Sequence, residues 1–351
     1  MNQHRPTVGD AVTALPRIDL FALGGTIASV PAYEEEGALP AVGADDLLAS
    51  VPQLAGVAEV RATQVLQVPS CEVTVRDLVG LVGRLQAAVE AGAQGVVVTQ
   101  GTDTLEEAAF VVDLLWDRPE PVVFTGALRT PDSPGADGPA NLLAAVQVAA
   151  SDAARDLGVV VCLNAEIHAA RLVRKTHASN PAAFTSPGAG PLGWVSEGRV
   201  GIVTRPVRSA PWRELDAVKS LNAGTTLPRV ALVRVGLGED AHLLEAVEAA
   251  SFDGVVVEGV GGGHVPRALV PVLARLAERT PVLLASRTGA GEVLSRTYGY
   301  PGAEIDLLSR GLVGVGRLDG AKARLALVLA LAAGHDRATA ADLVSQIGGG
   351  W

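Results

Sequence analysis

Lysine is nearly missing from this chain: of 28 basic residues only Lys175, Lys219 and Lys322 are lysine. Arginine serves solubility equally well but cannot give up its proton, whereas a lysine can act as a general base. Lys219 and Lys322 read as the residue of codon bias, and Lys175 needs its own account. Cysteine is as scarce. Cys71 and Cys162 are the only two, with no Cys-x-x-Cys, and six histidines are scattered without metal-ligand spacing. No metal site is expected, and nothing demands an oxidising compartment. The longest apolar stretch, Leu325–Ala333, is far short of a membrane span. Positive charge is in deficit too: a net charge of −10 argues against nucleic acid or an anionic membrane as partner. Met1–Pro16 lacks a basic start and an apolar core, so it reads as a disordered tail rather than a signal peptide, and the cytoplasm is the expected setting.

What is present suits a globular protein, with 48% hydrophobic and 19% charged residues over a length that allows two domains with cores of their own. Apolar β-branched runs at Gly95–Thr99, Pro121–Thr125 and Gly158–Leu163 alternate with helical periods at Leu105–Trp116 and Asp137–Ala150. That alternation implies a parallel sheet with right-handed crossovers. From Ala169 to Pro206 the pattern is short and glycine-punctuated, with antiparallel pieces expected at Ala169–Lys175 and Gly193–Thr204, a β-hairpin appended to the sheet. Ser209–Leu227 has no clear period and reads as an interdomain connection, after which strands and helices alternate again from Val230. The expected organisation is a tail over 1–16, a larger N-terminal α/β domain over 17–208, a linker over 209–228 and a smaller C-terminal domain with a parallel sheet over 229–351.

Two strand-to-turn junctions stand out. Val96-Val97-Val98-Thr99 breaks into Gln100-Gly101-Thr102-Asp103-Thr104 before a helix with Glu106 and Glu107 in its first turn. Ile18–Leu23 ends in Gly24-Gly25-Thr26-Ile27-Ala28. Ligands bind outside the carboxyl ends of parallel strands, so both threonines sit where chemistry is expected. Taken alone, either turn also suits an ordinary helix cap. The glycines allow close backbone approach and N–H groups facing an anion or oxyanion, but neither G-x-G-x-x-G nor G-x-x-x-x-G-K-[ST] is present at these turns.

Together the G-G-T-I-A and G-T-D-T-L-E-E turns resemble the signatures of the bacterial-type L-asparaginase family. The resemblance extends in order through Val51-Pro52-Gln53-Leu54, Pro69-Ser70, Ala136-Asp137-Gly138-Pro139, Arg174-Lys175-Thr176, Gly190-Pro191-Leu192-Gly193 and Ala321-Lys322-Ala323-Arg324. It implies two α/β domains, no cofactor, a small amino-acid substrate and a homo-oligomer built as a dimer of dimers. The reaction implied is hydrolysis of a side-chain carboxamide with release of ammonia.

By that resemblance Thr26 is the residue acylated by substrate, and Thr102 works with Asp103 and Lys175. A threonine hydroxyl is a poor nucleophile without a nearby base, and a neutral Lys175 held by Asp103 would supply one. Composition alone allows Lys175 a place on a solvated hairpin face with Arg171 and Arg174. Ser70 and Asp103 are the implied binders of the substrate's α-carboxylate and α-amino group, with Gly25 and Gly101 lining the site. Cys71 takes a position where many asparaginases have glutamine. His264, in Gly259-Val260-Gly261-Gly262-Gly263-His264, stands where relatives use asparagine near a neighbouring subunit's site. Glu304, in the Gly- and Pro-bounded segment Gly299–Ile305, is the implied carboxylate that reaches into the partner's site. Pro31–Pro40 reads as a mobile loop, and its Tyr33 is the candidate to support Thr26.

Overall fold

A strand buried on both faces can be apolar at every position, and the β-branched runs accordingly form the centre of a sheet. The computed structural model describes residues 14–31, 38–40, 43–207, 211–221 and 224–349. The strands of the N-terminal half are β1 (Arg17–Ala22), β2 (Ser29–Pro31), β3 (Ala38–Pro40), β4 (Glu59–Gln64), β5 (Gly95–Thr99), β6 (Val122–Thr125), β7 (Val159–Leu163), β8 (Glu166–Ala169), β9 (Arg174–Lys175), β10 (Phe184–Thr185), β11 (Gly193–Ser196) and β12 (Arg199–Ile202). Eight of them make one sheet in the order β12-β11-β8-β7-β6-β5-β1-β4. Neighbours from β4 to β7 are parallel, and β8, β11 and β12 extend the sheet antiparallel. The expected single piece Ala169–Lys175 is instead split. Leu172 and Val173 both donate to Ala169 O in a turn, after which β9 pairs with β10 away from the main sheet.

Between the parallel strands lie α1 (Ala44–Ala49), α2 (Val75–Glu90), α3 (Leu105–Leu115) and α4 (Gly138–Ala149). Strand alternation sorts their packing. Phe21, Val96, Val98, Val122 and Phe124 face α2 and α3, while Leu20, Ala22, Val97 and Val123 face α1 and α4. The chain steps the same way across the sheet through α2, α3 and α4, yet α4 lies on the opposite face. The β6–α4–β7 crossover therefore has the opposite hand to its predecessors, which corrects the expectation of uniform right-handedness. The first face is already taken: α3 packs across both β6 and β7 and is itself covered by the C-terminal half.

That half begins with a short helix, α5 (Trp212–Leu215), and continues through β13 (Val230–Arg234), α6 (His242–Ala249), β14 (Gly254–Gly259), α7 (Val270–Arg279), β15 (Val282–Ser286), α8 (Glu304–Ser309), β16 (Val313–Gly314), α9 (Gly320–Ala332) and α10 (Arg337–Ile347). Its four strands are parallel in the order β13-β14-β15-β16. Helices α6 and α7 cover one face, and α9 and α10 join the core that contains α2 and α3. The stretch read as a connection is part of that shared core, since Leu215 and Val218 are fully buried in it.

One feature of the topology locates the site. From β1 the chain turns toward β4 through α1 on one face, and from β5 it turns toward β6 through α3 on the other. Connections that diverge from adjacent parallel strands leave a crevice at their carboxyl ends. Both glycine–threonine turns lie there.

Candidate active site

Gly24 and Gly25 follow β1 with φ of +103° and +89°, values that L side chains rarely adopt. Space demands glycine as strictly as conformation does. A Cβ on Gly25 would lie 2.1 Å from Gly101 N and 2.2 Å from its Cα, and one on Gly101 would lie 3.0 Å from Ser70 Oγ. The turns after β1 and β5 thus touch backbone to backbone, with Ser70 closing the third side. Thr26 is half-buried at the head of a single helical turn, and Ile27 behind it is anchored in the core.

Thr102 is 5% exposed, and its Oγ1 accepts a hydrogen bond from Lys175 Nζ at 2.9 Å. The same Nζ donates to Asp103 Oδ1 at 2.7 Å. An ordinary cap would turn a side-chain oxygen back to the helix N–H groups. Here the N-cap residue of α3, Thr104, makes no such bond; its hydroxyl donates to Ser70 O at 2.7 Å and accepts from Gln100 Nε2 at 3.1 Å. The hydroxyls of Thr102 and Thr104 are thus engaged with Lys175 and Ser70.

Lys175 does not lie on a solvated face. Its side chain is 13% exposed, and its backbone N–H donates to Glu106 Oε2 at 2.7 Å, which ties β9 to the first turn of α3. Burial pushes the Glu106 carboxyl above its ordinary value, a shift opposed by the nearby Lys322 cation and by the Lys175 N–H. Asp103, with its side chain 77% exposed, is open to water, so its ion pair with Lys175 orients the amine while adding little stability. Hydroxyl, amine and carboxylate in a hydrogen-bonded row make a path for moving a proton off an oxygen nucleophile.

Ser70 is buried against the turns, and Cys71 beside it is exposed. Tyr33 lies outside the described residues, as does the whole of 32–37 between β2 and β3, whose backbones pair antiparallel. His264 and Glu304 form a cluster of their own in the C-terminal half. His264 Nε2 is 2.9 Å from Glu304 Oε2 and its Nδ1 is 2.9 Å from the Tyr300 hydroxyl. Glu304 departs from the expected reaching loop: it opens α8 with no exposed surface, and its other oxygen accepts N–H bonds from Thr297 at 2.8 Å and Tyr298 at 2.6 Å. Burial alone would push its carboxyl up, but these donors and His264 outweigh it and hold the group below its ordinary value. Within its own chain this carboxylate orients His264.

Glu106 is the contact that sequence reasoning missed. Its place in the first turn fits the helix dipole and so hides the tertiary bond to Lys175.

The likeness to known proteins runs along the whole of this framework. Residues 17–208 match the family model described as Asparaginase, N-terminal, and residues 229–344 match the Glutaminase/Asparaginase C-terminal domain. L-asparaginase 2 of Escherichia coli is 34% identical over 324 residues, which is 92% of this chain and 90% of that one. A glutamyl-tRNA(Gln) amidotransferase subunit of Halobacterium salinarum is 35% identical over 335 residues, 92% of this chain and 77% of its own. A crystal structure of a probable cytoplasmic L-asparaginase from Campylobacter jejuni superimposes with a TM-score of 0.83 at 30% identity, covering 94% of this chain and 99% of that one. Family models that take in both sheets, and relatives alike along nine-tenths of the length, agree with the threonine turns themselves: the chain belongs to the asparaginase family of amidohydrolases.

Proposed function

We propose that the protein is an L-asparaginase, which hydrolyses the side-chain amide of L-asparagine to L-aspartate and ammonia. The observation that carries this reading is Lys175 Nζ bridging Thr102 Oγ1 and Asp103 Oδ1 at the crevice that also holds Thr26. In this reading Thr26 Oγ attacks the carboxamide carbon and gives up its proton to a base. The oxyanion is met by N–H donors of the glycine turns. Collapse breaks the C–N bond, ammonia leaves with the proton, and an aspartyl ester remains on Thr26. A water that loses its proton through Thr102 and a neutral Lys175 then attacks the ester, releasing aspartate and restoring the Thr26 hydroxyl.

Ser70 and Asp103 are the proposed binders of the α-carboxylate and α-amino group, and the exposure of Asp103 leaves it accessible to an incoming ammonium. The reading includes a homo-oligomer, with a dimer of dimers as its expected form, and a cytoplasmic setting, supported by two unpaired thiols. A second reading is an amidotransferase-type amidase, favoured by relatives such as the Halobacterium salinarum protein. The net charge of −10 is poorly suited to a tRNA-bound partner, which favours the free amino acid. Ammonia release from L-asparagine, L-glutamine and acetamide by purified protein tests the proposal. Asparagine should be hydrolysed fastest and acetamide hardly at all; no release from asparagine refutes it.

A further inference from the structure

Lys322 sits in α9 of the C-terminal half, yet its ammonium lies among elements of the N-terminal half. The side chain is fully buried, with the residue 1% exposed. Its Nζ donates to Val173 O and, at 3.4 Å, to Arg171 O, the carbonyls just before the strand that bears Lys175. The same Nζ is 5.9 Å from the centre of the Phe110 ring on α3, the helix that opens at the Thr102 turn. On its own helix Asp319 Oδ2 is 4.0 Å away. Lys322 thus touches both elements that carry the hydroxyl–amine pair.

The electrostatics point the same way. Burial pushes the Lys322 amine below its ordinary value, as does Arg174 of β9 to a lesser degree, and the carboxylates that act against this shift are Asp319 of α9 and Glu106 and Glu107 of α3. Glu106 closes the loop, because its Oε2 accepts the Lys175 N–H. From Lys322 two routes therefore lead to Lys175: direct contacts with the Arg171 and Val173 carbonyls along the strand, and longer-range charge attraction to Glu106, which holds the Lys175 backbone N–H. Carbonyl oxygens, an aromatic face and the Asp319 carboxylate surround this nitrogen. No neutral apolar side chain could satisfy them.

Accepting the amidase reading above, on which this step rests, we infer that Lys322, with Glu106, is a positioning residue for the base Lys175, through which the C-terminal half fixes the distance between the Lys175 amine and Thr102. Neither residue touches substrate. Ser70 and Asp103, the proposed substrate binders, lie on turns outside this tether, so its loss should lower turnover and spare binding.

The test compares wild type with Lys322→Met and Glu106→Leu, in steady-state ammonia release from L-asparagine and in amide hydrogen exchange over residues 171–176. Each variant should lose roughly 10- to 100-fold in kcat with KM changed less than about 3-fold, the scale of a catalytic group displaced by an ångström or so. The Lys175 amide should exchange faster in both. A folded Lys322→Met enzyme with wild-type kcat and unaltered exchange at Lys175, differing only in melting temperature, would make Lys322 a filler of the core and overturn the inference. Should Lys322→Met not fold, Glu106→Leu decides, and a wild-type kcat there is equally fatal. The two proposals fail separately. A wild-type protein that releases no ammonia sinks the amidase reading, whereas the exchange measurement reads the tether without turnover.

Discussion

Adding one methyl group at Gly25 should nearly abolish activity while leaving the protein folded. A Cβ there would lie 2.1 Å from Gly101 N, 2.2 Å from Gly101 Cα and 2.9 Å from Gln100 C, all backbone atoms that no rotamer change can move aside. To restore even a tight contact of 3.0 Å, the turns after β1 and β5 must part by about 0.9 Å. The φ of +89° adds roughly 1–2 kcal/mol for placing a Cβ in left-handed backbone. With steric strain of about 1–3 kcal/mol, the total cost is about 2–5 kcal/mol. A typical folding free energy of about 5–15 kcal/mol can absorb that.

Catalysis cannot, because the turns that part are the ones bearing Thr26 and Thr102. A misplacement near 1 Å costs on the order of 100-fold in rate. Gly25→Ala should therefore lose at least roughly 100-fold in kcat/KM for ammonia release and melt several degrees lower. Gly83→Ala is the control: it is exposed in α2 with nothing within 4 Å of the added Cβ, so it should gain about 0.5–1 kcal/mol and keep full activity. A Gly25→Ala enzyme with near-normal ammonia release would mean that the backbone contact does not set the distance between the threonines.

Thr26→Ala and Thr102→Ala should each lower kcat by roughly 10³-fold or more with melting temperatures close to wild type; a variant that keeps its rate shows that its threonine is only part of a turn. Lys175→Arg preserves charge and donors but cannot accept a proton, so turnover should collapse, and a fully active arginine enzyme would remove Lys175 from the mechanism. For His168, buried between Ser186 and Glu166, burial holds the imidazole below its ordinary 6.5 although Glu166 opposes the shift. The unfolded chain binds this proton first, so the stability is fully present above about pH 6.5 and is lost as pH falls toward the folded value. Thermal melts at pH 7.5 and 5.5 should show a smaller pH-dependent drop in His168→Gln than in wild type, and equal drops would contradict the assignment.

The turns were legible because their signal is local. An apolar run that breaks into Gly-Gly-Thr or Gly-Thr-Asp-Thr fixes both the end of a strand and the groups placed beyond it. The strand order that makes neighbours of β1 and β5 was not legible, nor was the hand of the β6–α4–β7 crossover. Nothing in α4's own period says which face it will cover when α3 already occupies the other. The burial within the connection near 209–227 was hidden for a related reason: Leu215 and Val218 are too few to show a period, and only the groove among α2, α3 and α9 gives them somewhere to bury.

Charged residues were harder still, since a charge in a sequence carries no mark of its surroundings. Lys175, flanked by Arg171 and Arg174, has the composition of a solvated face; its role was read from resemblance, and it points inward because β10 and Glu106 hold its backbone. Glu304 is the reverse case. Gly299, Pro301 and Gly302 suggested a loop extending outward, but those residues turn the chain back so that the N–H groups of Thr297 and Tyr298 meet the carboxylate. Lys322 lies in a helix apolar enough to be taken for core, and in a chain almost purged of lysine it invites dismissal as a remnant. Its place at the junction of α3, α9 and the strand before Lys175 has a chemical reason: a slender amine can reach the Arg171 and Val173 carbonyls beneath an aromatic face, where a planar guanidinium needs a wider space. Two of the three lysines thus converge on one strand from opposite halves of the chain, one facing the proposed nucleophiles and the other holding that strand in place.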